Sequence, residues 1–137
     1  MADTPPGRAT PYARRRRGLS HDEFEQVVEE ALASLPRRFA ERVRNVVIAV
    51  EDEPTGDDLA SLDDDEEQGG ELLGIFRGVA LTDRSFDDAP LLPDEIAVFR
   101  GPINRVARTR REAVDEVRTT VIHELGHYFG LHDDELP

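Results

Sequence analysis

The sequence contains no cysteine, no tryptophan and no lysine, and its only methionine is Met1. Without cysteine the chain can form neither disulfides nor thiolate metal sites, so any bound metal must be held by histidine and carboxylate side chains. No apolar run is long enough for the core of a signal peptide or for a membrane span. We therefore expect a cytoplasmic protein that does not contact a membrane.

Charge is abundant and unevenly divided along the 137 residues, whose net charge is −13. Residues 1–18 contain five arginines and one aspartate, are rich in proline, and are interpreted as a disordered arm. The length fits one domain, which we place at residues 19–137. Because this domain is strongly acidic, its fold is not expected to bind nucleic acid, and the Arg-rich arm is left as the only candidate for such a contact.

The most informative pattern is H-E-x-x-H, formed by His123, Glu124 and His127. On a helix, two histidines four residues apart share one face and can bind one metal ion, and the glutamate then lies beside a metal-bound water as a general base. The helical period places the apolar residues on the opposite face. We therefore predict a helix from about 110 to 129 with one apolar face and one metal-binding face.

A third ligand is needed, since a catalytic zinc normally takes three protein ligands and leaves a position for water. With the sequence ending at Pro137, we expect this ligand in the turn after Gly130, where the choices are His132, Asp133, Asp134 and Glu135. The spacing H-E-x-x-H-x-x-G-x-x-ligand, typical of one class of zinc peptidases, falls on Asp133. His132 is the better ligand by residue type but lies one position early. We favour Asp133 and keep His132 as its rival.

Neutral imidazoles also need acceptors for their second ring nitrogens when they bind a metal. Glu116, which lies on the same helix face, and Asp134 are the candidates that the sequence offers.

The remaining elements predict a small α+β fold in the order α-α-β-β-β-α-α, with three strands packed on the motif helix. A capping box, S-x-x-E at Ser20 to Glu23, opens the first helix, and Pro36 begins a short second helix through about Val43. The other predicted elements are a buried strand at 45–50, a strand at 72–81 bent at its glycines, a half-buried strand at 95–100 and a helical turn from 102 to about 108.

Residues 51–70 are set apart by their acidity, with ten carboxylates between positions 51 and 67. Such a block is usually a solvated, mobile loop, and this is the interpretation that we favour. The functional alternative is that the loop overhangs the metal cleft, where it repels acidic substrates or binds a second cation.

With these segments placed, the chain from Ser20 to Leu136 resembles the small bacterial zincin-like metallopeptidase family. The segments that carry the resemblance are 50–54, 72–78, 81–85, 92–100 and 120–127, followed by Phe129, Gly130 and Asp133. The resemblance implies a minimal zincin fold, in which a small three-stranded sheet packs on a C-terminal HExxH helix. It also implies one zinc ion per chain held by His123, His127 and Asp133, with Glu124 catalytic.

The function expected from these residues is zinc-dependent hydrolysis of peptide bonds in a peptide or protein substrate. The sequence does not determine the oligomeric state, and a monomer is the default. The substrate is expected to lie extended along a sheet edge, with the strand at 95–100 as the favoured edge. One alternative is a weak or inactive zinc protein that binds peptides or uses the metal structurally. Two others are histidines without any metal role, and a hydrolase acting on RNA, which the acidic body and Glu124 disfavour.

Overall fold

The computed structural model describes residues 18–61, 70–78 and 94–129. Almost all of the predicted arm, residues 62–69 of the acidic segment, the end of the strand predicted at 72–81, and both candidate third ligands lie outside these residues. Within the described ranges the element order is α-α-β-α-β-β-α-α, which is the predicted order with one added short helix. The elements are α1 His21–Ala33, α2 Arg37–Val43, β1 Val47–Glu51, α3 Gly56–Ala60, β2 Gly74–Arg77, β3 Glu95–Phe99, α4 Arg100–Val106 and α5 Arg110–Tyr128.

The predicted capping box begins α1. The Ser20 hydroxyl accepts a hydrogen bond from the Glu23 backbone N–H at 3.2 Å, and the Glu23 carboxylate accepts one from the Ser20 N–H at 2.7 Å. The apolar face of α1 is buried against α5, and its fully enclosed residues include Phe24 and Val27. Pro36 is the N-cap of α2 instead of its first residue, a difference of one position.

The predicted motif helix is α5, which spans 19 residues after its Thr109 cap. Val117, Val121 and Leu125 are completely buried, as the predicted apolar face requires. Ala113 is completely buried as well, although the helical period places it on the side of the histidines. The buried arc is wider than predicted because α5 contacts helices α1, α2 and α4 as well as strands β2 and β3.

The three strands form a mixed sheet in the order β1-β3-β2, with β1 parallel and β2 antiparallel to β3. This arrangement confirms the small α+β fold, but it reverses the predicted burial of two strands. β3, predicted to be half-buried, is the central strand, and Ile96 through Phe99 are completely buried. β1, predicted to be buried, has no second neighbouring strand in the described ranges, and Val47 is 45% exposed.

The acidic segment is partly ordered, which corrects the expectation of a mobile loop for residues 51–61. Thr55 and Asp58 form a capping box that begins α3. Arg77 of β2 then joins three carboxylates: Glu51 and Glu95 at 2.7 Å, and Asp58 at 2.7 Å. The hydrogen bonds from Arg77 lower the pKa values of Glu51 and Asp58 and raise the pKa of Arg77 itself.

The Arg77 cluster lies on the face of the sheet that points away from α5. Successive side chains of a strand point to opposite faces, and Phe76 stacks on Tyr128 of α5 with the ring centroids 4.9 Å apart. The cation that Glu51 and Asp58 bind is therefore a guanidinium, and these two carboxylates do not overhang the motif helix.

No helix in the described ranges is both long and apolar enough to cross a membrane, and the cytoplasmic location stays a prediction.

Candidate metal centre

The three residues of the H-E-x-x-H motif come together in the last two turns of α5. His123, Glu124 and His127 each place one potential ligand atom within 4.8 Å of the others. The two imidazole rings have their centroids 4.3 Å apart and are inclined at 63°. Spacing of four residues brings side chains to one face of a helix, so the sequence predicts this convergence.

The side chains of Glu124 and His127 differ in their exposure to solvent. The Glu124 side chain is 10% exposed, whereas that of His127 is 39% exposed and therefore reachable from solvent. The Glu124 carboxylate lies 4.0 Å from Nδ1 of His127 through its Oε2 atom. A buried carboxylate beside an accessible imidazole places the acidic group at the base of the site.

The Glu124 carboxylate is held from β2. Its Oε1 atom accepts a hydrogen bond from the backbone N–H of Phe76 at 2.8 Å, a contact between residues 48 positions apart in the chain. Sequence reasoning missed this residue, because a backbone donor leaves no mark on residue type. The register of the strand is the only signal that could have located it.

The ladder between β2 and β3 explains why the Phe76 N–H is available. Phe99 donates its N–H to the Leu73 carbonyl at 2.9 Å, so positions 73, 75 and 77 form the bonded pairs with β3. The N–H and C=O groups of Gly74 and Phe76 consequently point away from β3, toward the outer edge of the sheet beside α5. Within the described ranges no strand pairs with β2 on this outer side, which adjoins the motif. The predicted substrate edge at 95–100 is wrong because β3 has strands on both sides.

Gly74 allows β2 to approach α5 this closely. A Cβ atom at Gly74 would lie 2.6 Å from Cγ2 of Thr120 and 2.7 Å from the carbonyl oxygen of Ala97. Any side chain would therefore push β2 away from α5 or from β3. The sequence predicted a bend at the glycines, but position 74 needs glycine because there is no room for a side chain.

An open pocket of about 250 Å³ lies beside His123 and Glu124. Its remaining lining residues come from the segment that enters β2 and from one face of α5: Leu72, Leu73, Gly74, Glu116, Thr119 and Thr120. Glu116 forms no hydrogen bond or ion pair within the part of the chain that the structure describes. It is therefore not the acceptor for an imidazole nitrogen that the sequence suggested, and Asp134 lies outside the described residues.

The donor set fits zinc. Imidazole nitrogens and carboxylate oxygens are the ligand types that zinc takes in a protein without cysteine. One face of α5 presents the two imidazoles together, with the Glu124 carboxylate beside them. Asp133 and His132 lie outside the described residues, so the third ligand stays a prediction.

A second group of potential ligand atoms, His21, Asp22 and Glu25, is exposed on the first turn of α1.

This architecture, an H-E-x-x-H helix packed on a small mixed sheet, defines the zincin class of fold. The family model described as zincin-like metallopeptidase matches residues 43–137, more than half of the chain. The protein belongs to the zincin-like metallopeptidase family, which confirms the resemblance seen in the sequence. Membership implies a hydrolase of the zinc metallopeptidase type and a bound metal ion, typically zinc.

Among solved structures, the chain is similar to a conserved hypothetical protein from the bacterium Thermus thermophilus. The two share 25% sequence identity over 80% of this chain and 92% of the other, with a TM-score of 0.49. No curated protein matches the sequence.

Proposed function

We propose that this protein is a zinc-dependent peptidase in which Glu124 is the general base. His123, His127 and Asp133 would hold one zinc ion per chain. The observation that carries the proposal is the placement of a buried Glu124 carboxylate beside two imidazoles, fixed by a hydrogen bond from the edge of the sheet. Family membership supports the metal and the class of reaction.

Bound zinc supplies Lewis-acid chemistry: it lowers the pKa of a coordinated water to about 7 and polarises a carbonyl oxygen. The protein's own part begins with Glu124, whose Oε1 is held by the Phe76 N–H while its Oε2 faces His127. The carboxylate accepts the proton of the attacking water and passes it to the nitrogen of the leaving amine. Holding the carboxylate at one oxygen limits its rotation, so the proton acceptor is oriented before the substrate arrives.

The outer edge of β2 is the place where an extended substrate would pair with the sheet. The N–H and C=O groups of Gly74 and the C=O group of Phe76 point toward this edge, while the Phe76 N–H is bonded to Glu124. Extended peptides commonly bind to proteins by adding a strand to such an edge. A peptide bound there would pass directly over Glu124 and the histidines. We infer a peptide or protein substrate from this arrangement.

A metal-binding protein that holds peptides without cleaving them is the second candidate. The observation that favours it is the composition of the pocket, whose lining within the described ranges includes no arginine or tyrosine that could stabilise an oxyanion. The same edge and the same zinc site would serve such a protein equally well, so binding alone does not separate the two candidates.

A peptide-library assay separates them. The zinc-loaded protein is incubated with a mixture of extended peptides, and products are read by mass spectrometry before and after removal of the metal with a chelator. The peptidase proposal predicts cleavage that disappears on chelation and returns when zinc is added. Saturable peptide binding without any cleavage would instead establish the binding protein.

The third ligand has its own test. We expect Asp133→Ala to weaken zinc binding far more than His132→Ala, because Asp133 has the ligand spacing of the motif. A competition titration with a chromogenic chelator measures both affinities. The reverse order would make His132 the third ligand.

A further inference from the structure

The pocket beside His123 has the size of a binding site for one side chain. Its volume of about 250 Å³ is below the roughly 300–1,000 Å³ of pockets that enclose whole small molecules. It opens next to both His123 and Glu124, so a side chain entering it belongs to a residue near the bond that Glu124 would attack. The pocket is therefore placed to select substrates by the side chain that enters it.

One wall of this pocket is apolar. Leu72 and Leu73, both half-buried, line it just before β2 begins, and Gly74 continues the same wall without a side chain. An aliphatic stem lying along these two leucines would bury apolar surface, which is favourable by about 25 cal/mol for each Å² removed from water.

The helix α5 contributes a carboxylate to the lining of the same pocket. Glu116 lies on α5 seven residues before His123, a spacing that returns a helix to the same face. It is half-buried and forms no hydrogen bond or ion pair within the described ranges. In contrast to Glu116, two other acidic residues have hydrogen-bond partners. Glu71 accepts a hydrogen bond from Arg105, and Glu124 accepts one from the Phe76 N–H.

A pocket lined by two leucines and by a carboxylate that has no partner in the described ranges matches a side chain with an apolar stem and a cationic end. Lysine and arginine have this construction, and they commonly bury the stem while the charge stays at a polar group. The net charge of −13 acts in the same direction, because an acidic protein attracts cationic peptides at long range.

We propose that this pocket binds a lysine or arginine side chain of the substrate, with Leu72 and Leu73 along the stem and Glu116 at the charge. The proposal rests on the proposed peptidase function and makes Glu116 the residue that determines specificity. It names the substrate class as peptides with a basic residue next to the cleaved bond.

The test uses matched peptides that differ at one residue near the cleaved bond, with lysine, acetyl-lysine or glutamate at that position. Cleavage by the full-length zinc-loaded protein is measured as kcat/KM for each peptide. In parallel, fluorescence anisotropy measures binding of the same peptides to the zinc-loaded Glu124→Gln variant. We expect a preference of about fivefold or more for lysine over acetyl-lysine, the ratio that ~1 kcal/mol gives for a charge pair.

Three variants make the test specific to Glu116. Glu116→Gln should abolish the lysine preference, and Glu116→Lys should turn it into a preference for glutamate, which a merely structural role could not produce. Asp115→Asn is the matched control, because it removes the same charge from the adjacent, exposed position of α5. That variant should keep the wild-type ratio.

The outcomes distinguish this proposal from the function on which it rests. Cleavage without a preference for lysine, or a preference that survives Glu116→Lys, would overturn the basic-side-chain pocket and leave the peptidase intact. Lysine-selective binding without cleavage of any peptide would support the pocket and overturn the peptidase. Neither cleavage nor selective binding would overturn both.

Discussion

Two adjacent residues of β2 hold carboxylates at different places around the strand, one on a face of the sheet and one at its edge, and they do so by different means. On the face away from α5, the Arg77 guanidinium binds Glu51, Asp58 and Glu95. At the outer edge, the neutral Phe76 N–H donates a hydrogen bond to Glu124. A guanidinium neutralises a carboxylate and makes it a weak base, whereas an amide orients the carboxylate without neutralising it.

The comparison separates acidic groups that stabilise the fold from the one proposed to move a proton. The pKa values of Glu51 and Asp58 are lowered, first of all by their hydrogen bonds with Arg77, so both carboxylates stay charged and paired at neutral pH. The sequence alone does not separate the carboxylates that pair with Arg77 from Glu124, because it shows only that all of these residues are acidic.

Removing the guanidinium should lower stability and leave activity almost unchanged. We expect Arg77→Met to lower the free energy of unfolding by about 2 kcal/mol, between the values for exposed and for buried ion pairs, because three carboxylates would be left facing one another. Urea denaturation measures the loss. Cleavage by the folded fraction should change little, since Arg77 points away from the motif. A variant as stable as the wild type would show that the cluster does not stabilise the fold.

Removing the Phe76 N–H should lower activity more than stability, which is the opposite of the effect expected for Arg77→Met. Replacing Phe76 by phenyllactic acid converts its N–H into an ester oxygen, and we expect cleavage to fall about tenfold, since hydrogen bonds to charged groups contribute about 1.5–3 kcal/mol. Stability should change less, because this N–H points away from the ladder with β3. Steady-state kinetics and thermal unfolding measure the two effects.

The matched control for this ester is the same change at Ile75. Its N–H belongs to the bonded positions of the ladder, so the ester there should lower stability more than activity. Equal effects of the two esters on cleavage would contradict a specific role for the Phe76 N–H.

Gly74 offers a steric way to disturb the same edge. Gly74→Ala places a Cβ atom against Thr120 and the Ala97 carbonyl, so we expect β2 to shift and the Phe76–Glu124 hydrogen bond to lengthen. Cleavage should fall together with stability, by about 1–3 kcal/mol for an overpacked site. Thr120→Ser removes the Cγ2 atom and should recover part of the loss, and no recovery would place the strain elsewhere.

The smallest effect concerns pH. The folded-state pKa values of Glu51 and Asp58 lie below their ordinary values of 4.5 and 3.8, so their stabilising contribution is present above about pH 4.5 and is lost as pH falls through the lowered values. We expect the stability difference between wild type and Arg77→Met to be constant near neutral pH and to shrink below pH 4.5. Urea titrations over this range measure it, and a constant difference would contradict the pairing.

The sequence predicted most accurately what depends on local periodicity. The span of α5, the convergence of His123, Glu124 and His127, and the capping box at Ser20 all follow from spacings within one helix. The short helix α3 was missed although its signal was present, because Thr55 and Asp58 form the same kind of capping box within a run of acidic residues.

What depends on the register of distant segments could not be predicted. The burial predicted for β1 and β3 is the reverse of what the structure shows, because burial of a strand depends on its neighbours in the sheet and not on its own residues. Phe76 and Gly74 were missed as site residues because one contributes a backbone N–H and the other the absence of a side chain. The domain boundary at residue 19 and the choice of Asp133 stay predictions.

We propose for Glu124 that it moves the proton and does not bind the metal. The most direct measurement compares Glu124→Gln with the wild type for cleavage of one peptide and for zinc content by elemental mass spectrometry. We predict about one zinc per chain in both proteins and a fall in cleavage of roughly 10²–10⁴-fold, the usual contribution of a general base. Cleavage near the wild-type rate, or loss of zinc from the variant, would contradict it.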